Sequence, residues 1–252
     1  MSAKVDIILP NYNKEIYLDE TINSIIDQTN EDWRLIIIDD CSTDNSKKVI
    51  EKYTHNKKLK TIYLKKNMGA AFTRNLGLRF STSEYIAFMD ADDKWTNNKL
   101  KDQINFMQEN NFFFTYTDYT PFYLKNNKTI LKKRIDCPNS FNYEEFINNS
   151  SIGTSTMILS RDIIGVLKFP KVRTLEDFPF KCKLLKKNKI ANKFNQNTTF
   201  YRITKGSLGS NKLRSIYWLW YINRKFNNLN FFKNLKSLKN ISINSIKKYG
   251  FK

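Results

Sequence analysis

Four short apolar runs recur through residues 5–89: Val5-Asp-Ile-Ile-Leu-Pro10, Trp33-Arg-Leu-Ile-Ile-Ile-Asp39, Leu59 to Leu64, and Tyr85-Ile-Ala-Phe-Met89. Their length and their β-branched and aromatic content are those of strands. The segments between them read as helices. Leu18, Ile22, Ile25 and Ile26 fall on one helical face. Cys41-Ser-Thr-Asp-Asn45 is a turn that caps a helix running to about Tyr53. Asn67-Met-Gly-Ala70 opens a third helix, which carries Arg74 and Asn75 and ends near Ser81. This β-α-β-α-β-α-β order admits few folds. Parallel neighbours need a crossover helix, so it predicts a doubly wound α/β pattern with a mostly parallel central sheet and helices on its faces.

In such sheets ligands bind outside the carboxyl ends of the strands. Polar clusters sit at three of the four ends: Pro10 to Asn13, Asp39-Asp40, and Asp90 to Asp93. The last places three carboxylates within four residues, where they repel one another and lose hydration. A hard divalent cation with oxygen ligands relieves both effects. Asp90 and Asp92 share a side if the chain is still extended there. The plain alternative is a solvated acidic turn that caps the next helix. Clusters at three of four parallel strand ends are read more economically as one site. No GxGxxG follows the first strand and no GxxxxGK[ST] is present. Those absences argue against a dinucleotide-binding oxidoreductase and a P-loop enzyme.

The set Ile7-Ile-Leu-Pro-Asn-Tyr-Asn13, Ile36-Ile-Ile-Asp-Asp-Cys-Ser-Thr-Asp44, Asn67-Met-Gly-Ala-Ala-Phe-Thr-Arg-Asn-Leu-Gly77 and Phe88-Met-Asp-Ala-Asp-Asp-Lys-Trp95 resembles the family 2 glycosyltransferases in order and spacing. Thr174-Leu-Glu-Asp-Phe-Pro-Phe180 resembles that family's Glu-Asp segment, and Tyr201-Arg-Ile-Thr-Lys-Gly-Ser-Leu208 its late Tyr-Arg segment. The resemblance implies the GT-A fold, a nucleotide-sugar donor and, in most members, inversion at the anomeric carbon. On the matching positions it implies that Pro10 and Tyr12 line the uracil pocket, with Glu15 near the ribose or base. Asp40 would accept a hydrogen bond from the base, and Arg74 would contact base or diphosphate. Asp90 and Asp92 form the Asp-X-Asp motif that holds the ribose and the metal-diphosphate, with Asp93 as a further ligand and Mn2+ or Mg2+ as cofactor. Asp177 would be the catalytic base, with Glu176 on the acceptor side. Without the resemblance, Asp177 reads as a helix N-cap, Tyr12 as a half-buried aromatic and Arg74 as an exposed helix charge. Two positions depart from the family. Cys41 replaces the usual Gly, which is tolerable unless the backbone needs a positive φ. Thr204 stands where many members carry a His that can approach the metal.

The implied chemistry is consistent from below. A nucleoside diphosphate leaves as a polyanion, and a divalent cation eases its departure. The acceptor alcohol needs one carboxylate to take its proton, a contribution of roughly 10²–10⁴-fold. A base in line with the leaving group gives inversion.

The rest of the chain is coarser. Lys99 to Asn110 reads as a helix, Phe112 to Thr117 as a strand, and Asn126-Asn-Lys128 as a hairpin turn. Residues 134–155 read as loop with a short helix near Glu144. Gly153-Thr-Ser-Thr156 either lines the acceptor side or simply leads into a strand. The expected division is a GT-A domain over 1–210, with a nucleotide-sugar half to 100 and an acceptor half from 101, followed by a tail over 211–252.

Hydrophobic content of 40% over 252 residues supplies a sizeable core, and no apolar run approaches the ~20 residues of a membrane span. Three cysteines, odd in number and without metal-site spacing, fit free thiols in a reducing cytoplasm. The chain enters a strand at once, so no signal peptide is expected. His55 lies in a polar turn and is assigned no role. The net charge of +19 is unevenly placed: residues 178–252 carry 18 Lys and Arg and no Asp or Glu. Such a segment implies an anionic partner. Its two helical stretches interleave basic residues with Tyr217, Trp218, Trp220, Phe231 and Phe232. That mixture suits an anionic membrane surface; the other reading is that the aromatics pack on the domain.

Together these features predict a metal-dependent inverting glycosyltransferase. It would move a sugar from a UDP-sugar to a hydroxyl of a glycan or lipid-linked acceptor in bacterial surface polysaccharide biosynthesis. It would be cytoplasmic and peripheral on the inner face of the cell membrane. The competing readings are a nucleic-acid binder using the basic tail and a non-catalytic nucleotide-sugar binder. No nucleic-acid-binding module pattern is present, so no nucleic acid is expected. A glycosidase would need two carboxylates flanking the bond, not a diphosphate site.

Overall fold

The computed structural model describes residues 4–126, 128–204 and 212–249. In chain order the elements are β1 (Val5–Asn11), α1 (Glu15–Ile26), β2 (Trp33–Asp39), α2 (Ser46–Glu51), β3 (Leu59–Tyr63), α3 (Ala70–Phe80), β4 (Tyr85–Phe88), β5 (Lys94–Trp95), α4 (Lys99–Glu109), β6 (Phe114–Lys125), β7 (Lys128–Leu131), β8 (Ser140–Phe141), α5 (Tyr143–Phe146), β9 (Ile158–Ser160), α6 (Arg161–Ile164), α7 (Asp177–Asn188), β10 (Ala191–Arg202), α8 (Lys212–Lys225) and α9 (Phe231–Tyr249). Residues Thr154–Thr156 form a 3₁₀ turn ahead of β9 rather than a plain lead into it.

The strands make one sheet ordered β3-β2-β1-β4-β9-β6-β10-β5, with β7 on β6 and β8 on β10. The first four are mutually parallel, and β10 lies parallel to β6. Strand β9 runs antiparallel between β4 and β6 and so joins the two halves. Strands β6 and β7 pair antiparallel as expected of a hairpin, as far as Lys125 with Lys128, and residue 127 of the expected turn lies outside the described residues.

Alternation along the strands explains why the apolar runs are nearly continuous. Ile8, Ile36, Ile38, Ile86 and Phe88 face one core. Val5, Ile7, Leu9, Leu35, Ile37 and Ala87 face the other, under α1 and α4. A sheet covered on both sides needs apolar residues at both parities. Helix α3 sits especially close: a Cβ on Gly77 would lie 2.4 Å from Ile8 Cγ2. Only glycine allows that approach, which fixes α3 against β1.

The C-terminal extension is docked, not detached. Leu219, Ile222 and Leu229 join the same core as Phe146 and Phe178. Between α8 and α9, buried Asn223 donates to Asn234 Oδ1 and Ser237 Oγ, each at 3.0 Å, and Ser237 reaches the Ile147 carbonyl. The inner face of the tail therefore packs on the domain. Its outer face does not: Leu213, Tyr217 and Phe232 are 82%, 62% and 79% exposed.

Ile222→Ala should lower the global unfolding free energy by about 2–5 kcal/mol, because it opens a cavity in the shared core. Chemical denaturation followed by tryptophan fluorescence in a Trp218→Phe, Trp220→Phe background, which leaves Trp33 and Trp95 outside the tail, is the measurement. An unchanged midpoint would mean the tail unfolds apart from the sheet.

Candidate active site

Strands β2, β1 and β4 are neighbours and parallel, so their polar carboxyl ends converge. Asn11 donates to Asp39 Oδ2 at 2.7 Å and to Ser42 Oγ at 3.1 Å. Asp40 is buried, and its two oxygens accept the backbone N–H groups of Met68 and Gly69 at 2.7 Å each. It thereby ties the turn ahead of α3, where Gly69 takes φ +85°, to the end of β2. Burial pushes its pKa up, the two amides pull it back, and Asp39 adds to the rise; the net is upward. The resemblance puts Asp40 on the base; here both its oxygens already hold backbone amides. Glu15 is likewise engaged, accepting Asn45 N–H at 2.5 Å while Asp44 accepts Glu15 N–H at 3.0 Å. These bonds clamp the 41–45 loop onto α1. Pro10 is half-buried at the end of β1, and Tyr12 stands 45% exposed at the rim.

The Asp90–Asp93 segment corrects the sequence reading twice. The strand ends at Phe88, and Asp93 N–H donates to the Asp90 carbonyl at 3.0 Å, closing a turn. The chain is not extended there, so alternation does not place Asp90 and Asp92 side by side. Asp93, expected as a further ligand, is turned inward. It is 1% exposed, and it accepts Ser155 Oγ at 2.6 Å and Arg202 N–H at 2.9 Å. Burial, then Asp92 and Asp90, push its pKa well up. Its work is to fasten the acidic turn to β10. Arg202 completes that fastening through the Asp92 carbonyl at 2.7 Å and through Glu20.

Asp92 and Asp90 each give one oxygen to a cation of the chain itself. Lys14 Nζ lies 2.5 Å from Asp92 Oδ2, and Arg74 lies 2.6 Å from Asp90 Oδ1. Burial lifts the pKa of Asp92, and Lys14 opposes the lift while Asp90 adds to it. Among the described residues no three His, Cys, Asp or Glu side chains are grouped to hold a metal. Two hard carboxylates, completed by diphosphate oxygens and water, are nevertheless the donor set that Mg2+ or Mn2+ takes at nucleotide sites. Asp90 and Asp92 therefore fit an ion that arrives with a diphosphate.

Ahead of α7, Leu175 adopts φ +58°, a costly conformation for a leucine, and turns the chain into Glu176 and Asp177. Glu176 occupies the cap position of α7 without a side-chain capping bond. Asp177, expected either to cap the helix or to act as a base, caps nothing. It accepts Lys181 Nζ at 2.6 Å and Thr154 Oγ1 at 3.0 Å. Burial raises its pKa, but Lys181 and then Arg74 outweigh burial and bring it down to about 2. Arg74 is buried and bridges Glu176 and Asp90, which keeps it charged. Its Nε is buried with no partner among the described residues. Asp177 and Lys181 face a cavity of about 110 Å³, also walled by Leu175, Leu219 from α8 and Ile241 from α9. A larger groove of about 610 Å³ lies elsewhere, between α9 and residues 138–149, and contains none of the expected site residues.

The structure thus brings together Asp90, Asp92, Arg74, Glu176 and Asp177, and it spends Glu15, Asp40 and Asp93 on backbone and loop contacts. Sequence reasoning missed Lys14, Lys181, Thr154, Ser155 and Arg202 as their partners. Only Lys181 carried a local signal, four residues after Asp177 on one helix. Thr204 is half-buried in coil after β10, and residues 205–208 of the Tyr-Arg segment lie outside the described residues.

A mostly parallel sheet with polar carboxyl ends, an acidic turn and a Glu-Asp helix start defines a class, and comparison with known proteins agrees. The profile described as "Glycosyl transferase family 2" matches residues 6–170. The chain belongs to that family and is a glycosyltransferase. It is 34% identical over 245 residues, 97% of this chain and 96% of the other, to the putative teichuronic acid biosynthesis glycosyltransferase TuaG of Bacillus subtilis (strain 168). It is 36% identical over 221 residues, 86% of this chain and 83% of the other, to the Escherichia coli UDP-Glc:alpha-D-GlcNAc-diphosphoundecaprenol beta-1,3-glucosyltransferase WfgD. Its fold matches that of S. aureus TarS 1–349 in complex with UDP-GlcNAc at a TM-score of 0.73 and 20% identity, over 97% of this chain and 73% of that one. The chain spans 43% of the longer TarS chain. The GT-A fold expected from the motifs is thereby established.

Cys41 takes φ +63°, the condition under which the loss of the family's glycine matters. Cys41→Gly should raise stability by about 0.5–1 kcal/mol, the relief of left-handed strain less the added entropy of unfolded glycine. A denaturant midpoint equal to or below wild type would overturn this.

Proposed function

We propose that the chain transfers a sugar from a UDP-sugar to a hydroxyl of a glycan or lipid-linked acceptor, with inversion, in the synthesis of a cell-wall or surface polysaccharide. The observation that carries the reading is Arg74. It joins Asp90 on the donor side to Glu176 on the acceptor side, and its Nε donor is unspent. A buried guanidinium with a spare N–H suits a diphosphate. The acceptor and donor named for WfgD, the polymer named for TuaG and the nucleotide-sugar in the TarS complex support this choice of substrates.

Tyr12, exposed beside Pro10, would stack on the uracil. Asp90 and Asp92 would hold a Mg2+ or Mn2+ ion, which neutralises charge on the departing diphosphate. Lys14 and Arg74, now on those carboxylates, would add positive charge on the same side. Asp177 would take the acceptor proton. A carboxylate held near pKa 2 is a weak base, and Arg74 is one of the charges holding it there. A diphosphate that engages Arg74 would withdraw that influence and strengthen the base as the donor arrives. Lys181 and Thr154 would meanwhile fix the carboxylate's direction. The nucleotide-sugar half would run to about residue 100 and the acceptor half to 210. The site would work at the inner face of an anionic membrane, without nucleic acid.

Two substitutions test the assignments. Asp92→Asn removes charge but little volume, so the gain in UDP affinity on adding Mn2+, read by calorimetry, should vanish. An undiminished gain would refute the ion's placement.

Asp177→Asn should leave UDP affinity near wild type and lower turnover by roughly 10²-fold or more. It should also destabilise the fold by about 3 kcal/mol, because Lys181, 2% exposed, loses its counter-charge. Asp177→Asn with Lys181→Met should recover the stability and not the turnover. Turnover near wild type in either variant would move the base elsewhere, with Glu176 next in line.

A further inference from the structure

The outer face of the C-terminal hairpin carries an apolar band that crosses both helices. On α8, Leu213, Ile216, Tyr217 and Trp220 recur at helical spacing and share one side. Trp220 meets Phe231 edge-on at 5.6 Å, and Phe231 meets Phe232 at 5.7 Å, which carries the band onto the start of α9. Leu213 and Phe232 are about four-fifths exposed, and Leu235, one turn beyond Phe231, is also exposed. The inner faces of the same helices are already committed to the core and to the Asn223–Asn234–Ser237 seam, so the band is not a failed core contact. Contiguous aromatic and aliphatic surface of this kind marks an interaction site.

Its surroundings identify the partner. Arg224, Lys225, Lys233, Lys236 and Lys239 are exposed around the band. No Asp or Glu occurs anywhere in residues 178–252. A second copy of the same face would meet like charge, and an apolar protein groove would leave the lysines unanswered. Among the described residues no helix is long and apolar enough to cross a membrane. Amphipathic helices with aromatics on one side and lysines around them lie in the interface of an anionic bilayer.

We propose that the band of Leu213, Tyr217, Trp220, Phe231 and Phe232 is the membrane-inserting face of the protein, seated among anionic phospholipid head groups by the flanking lysines. This deepens the reading of a membrane-borne acceptor and rests on it. The same hairpin walls the Asp177 cavity through Leu219 and Ile241. One rigid element then both grips the surface and shapes the acceptor side, so docking fixes the orientation of the site to the bilayer.

The test is sedimentation of the full chain with vesicles of phosphatidylcholine alone or of phosphatidylcholine with phosphatidylglycerol. Wild type should bind the anionic vesicles and not the neutral ones, and salt should release it. Lys233→Gln and Lys236→Gln should each weaken partitioning by about fivefold. Tyr217→Ser with Phe231→Ser and Phe232→Ser should abolish it while calorimetric UDP affinity stays at wild type. Tryptophan emission from Trp218 and Trp220 should shift to the blue on binding to anionic vesicles. Equal binding to both vesicle types, binding to neither, or full binding by the triple variant would overturn the proposed face. So would capture by duplex DNA in preference to anionic vesicles. Because UDP affinity is read on the same samples, a wild type that binds UDP but not anionic vesicles defeats this surface alone, whereas a wild type that does not bind UDP would defeat the glycosyl-transfer reading itself.

Discussion

The structure depends on neutralising a crowd of carboxylates at one edge of a sheet. Asp39, Asp40, Asp90, Asp92, Asp93, Glu176 and Asp177 all gather there, several of them buried. Each has a definite answer: Asn11 and Ser42 for Asp39, backbone amides for Asp40, an amide and a hydroxyl for Asp93, Lys14 for Asp92, Lys181 for Asp177, and Arg74 for Asp90 and Glu176 together. Removing one member of such a pair leaves the other charged and poorly solvated, which is why these contacts act as structural joints as well as site furniture. They also cross the molecule. Arg74 comes from the first half and Glu176 from the second, while Arg202 on β10 reaches back to Glu20 on α1. These ion pairs join the early and late parts of the chain.

Much of the architecture was legible because its determinants are local. Strands buried on both faces are spelled out by continuous apolar runs, and helices by their spacing. The carboxyl-end clusters followed from the direction of parallel strands. What could not be read was where each polar group found its partner. Lys14 and Asp92, or Ser155 and Asp93, are distant in sequence, and no periodicity links them. The fate of Asp93 shows the limit well: three acids in four residues look alike in sequence, yet one of them is turned inward by a backbone turn. The left-handed backbone at Leu175 was equally hidden, because leucine does not announce it, whereas at Cys41 the glycine of the resembling family had pointed to it.

The tail was ambiguous for a physical reason. Basic and aromatic composition is compatible with both packing and surface binding, and composition does not say which side of a helix is which. The structure separates the two faces. Leu219 and Ile222 turn inward, while Tyr217 and Phe232 turn out.

The seam between α8 and α9 has a consequence for how such a chain can diverge. Asn223 touches Asn234 and Ser237, Asn227 donates to Asn223 at 2.9 Å, and Asn234 holds the Trp220 carbonyl at 3.1 Å. A buried polar lock of this kind sets the register of the hairpin by directional bonds rather than by the amount of grease on its surface. Residues on the far side are then released from any duty in folding. They can drift among polar, aromatic and charged types over generations while the helices stay in place, so lineages could refit the outside to new surroundings without disturbing the chemistry within.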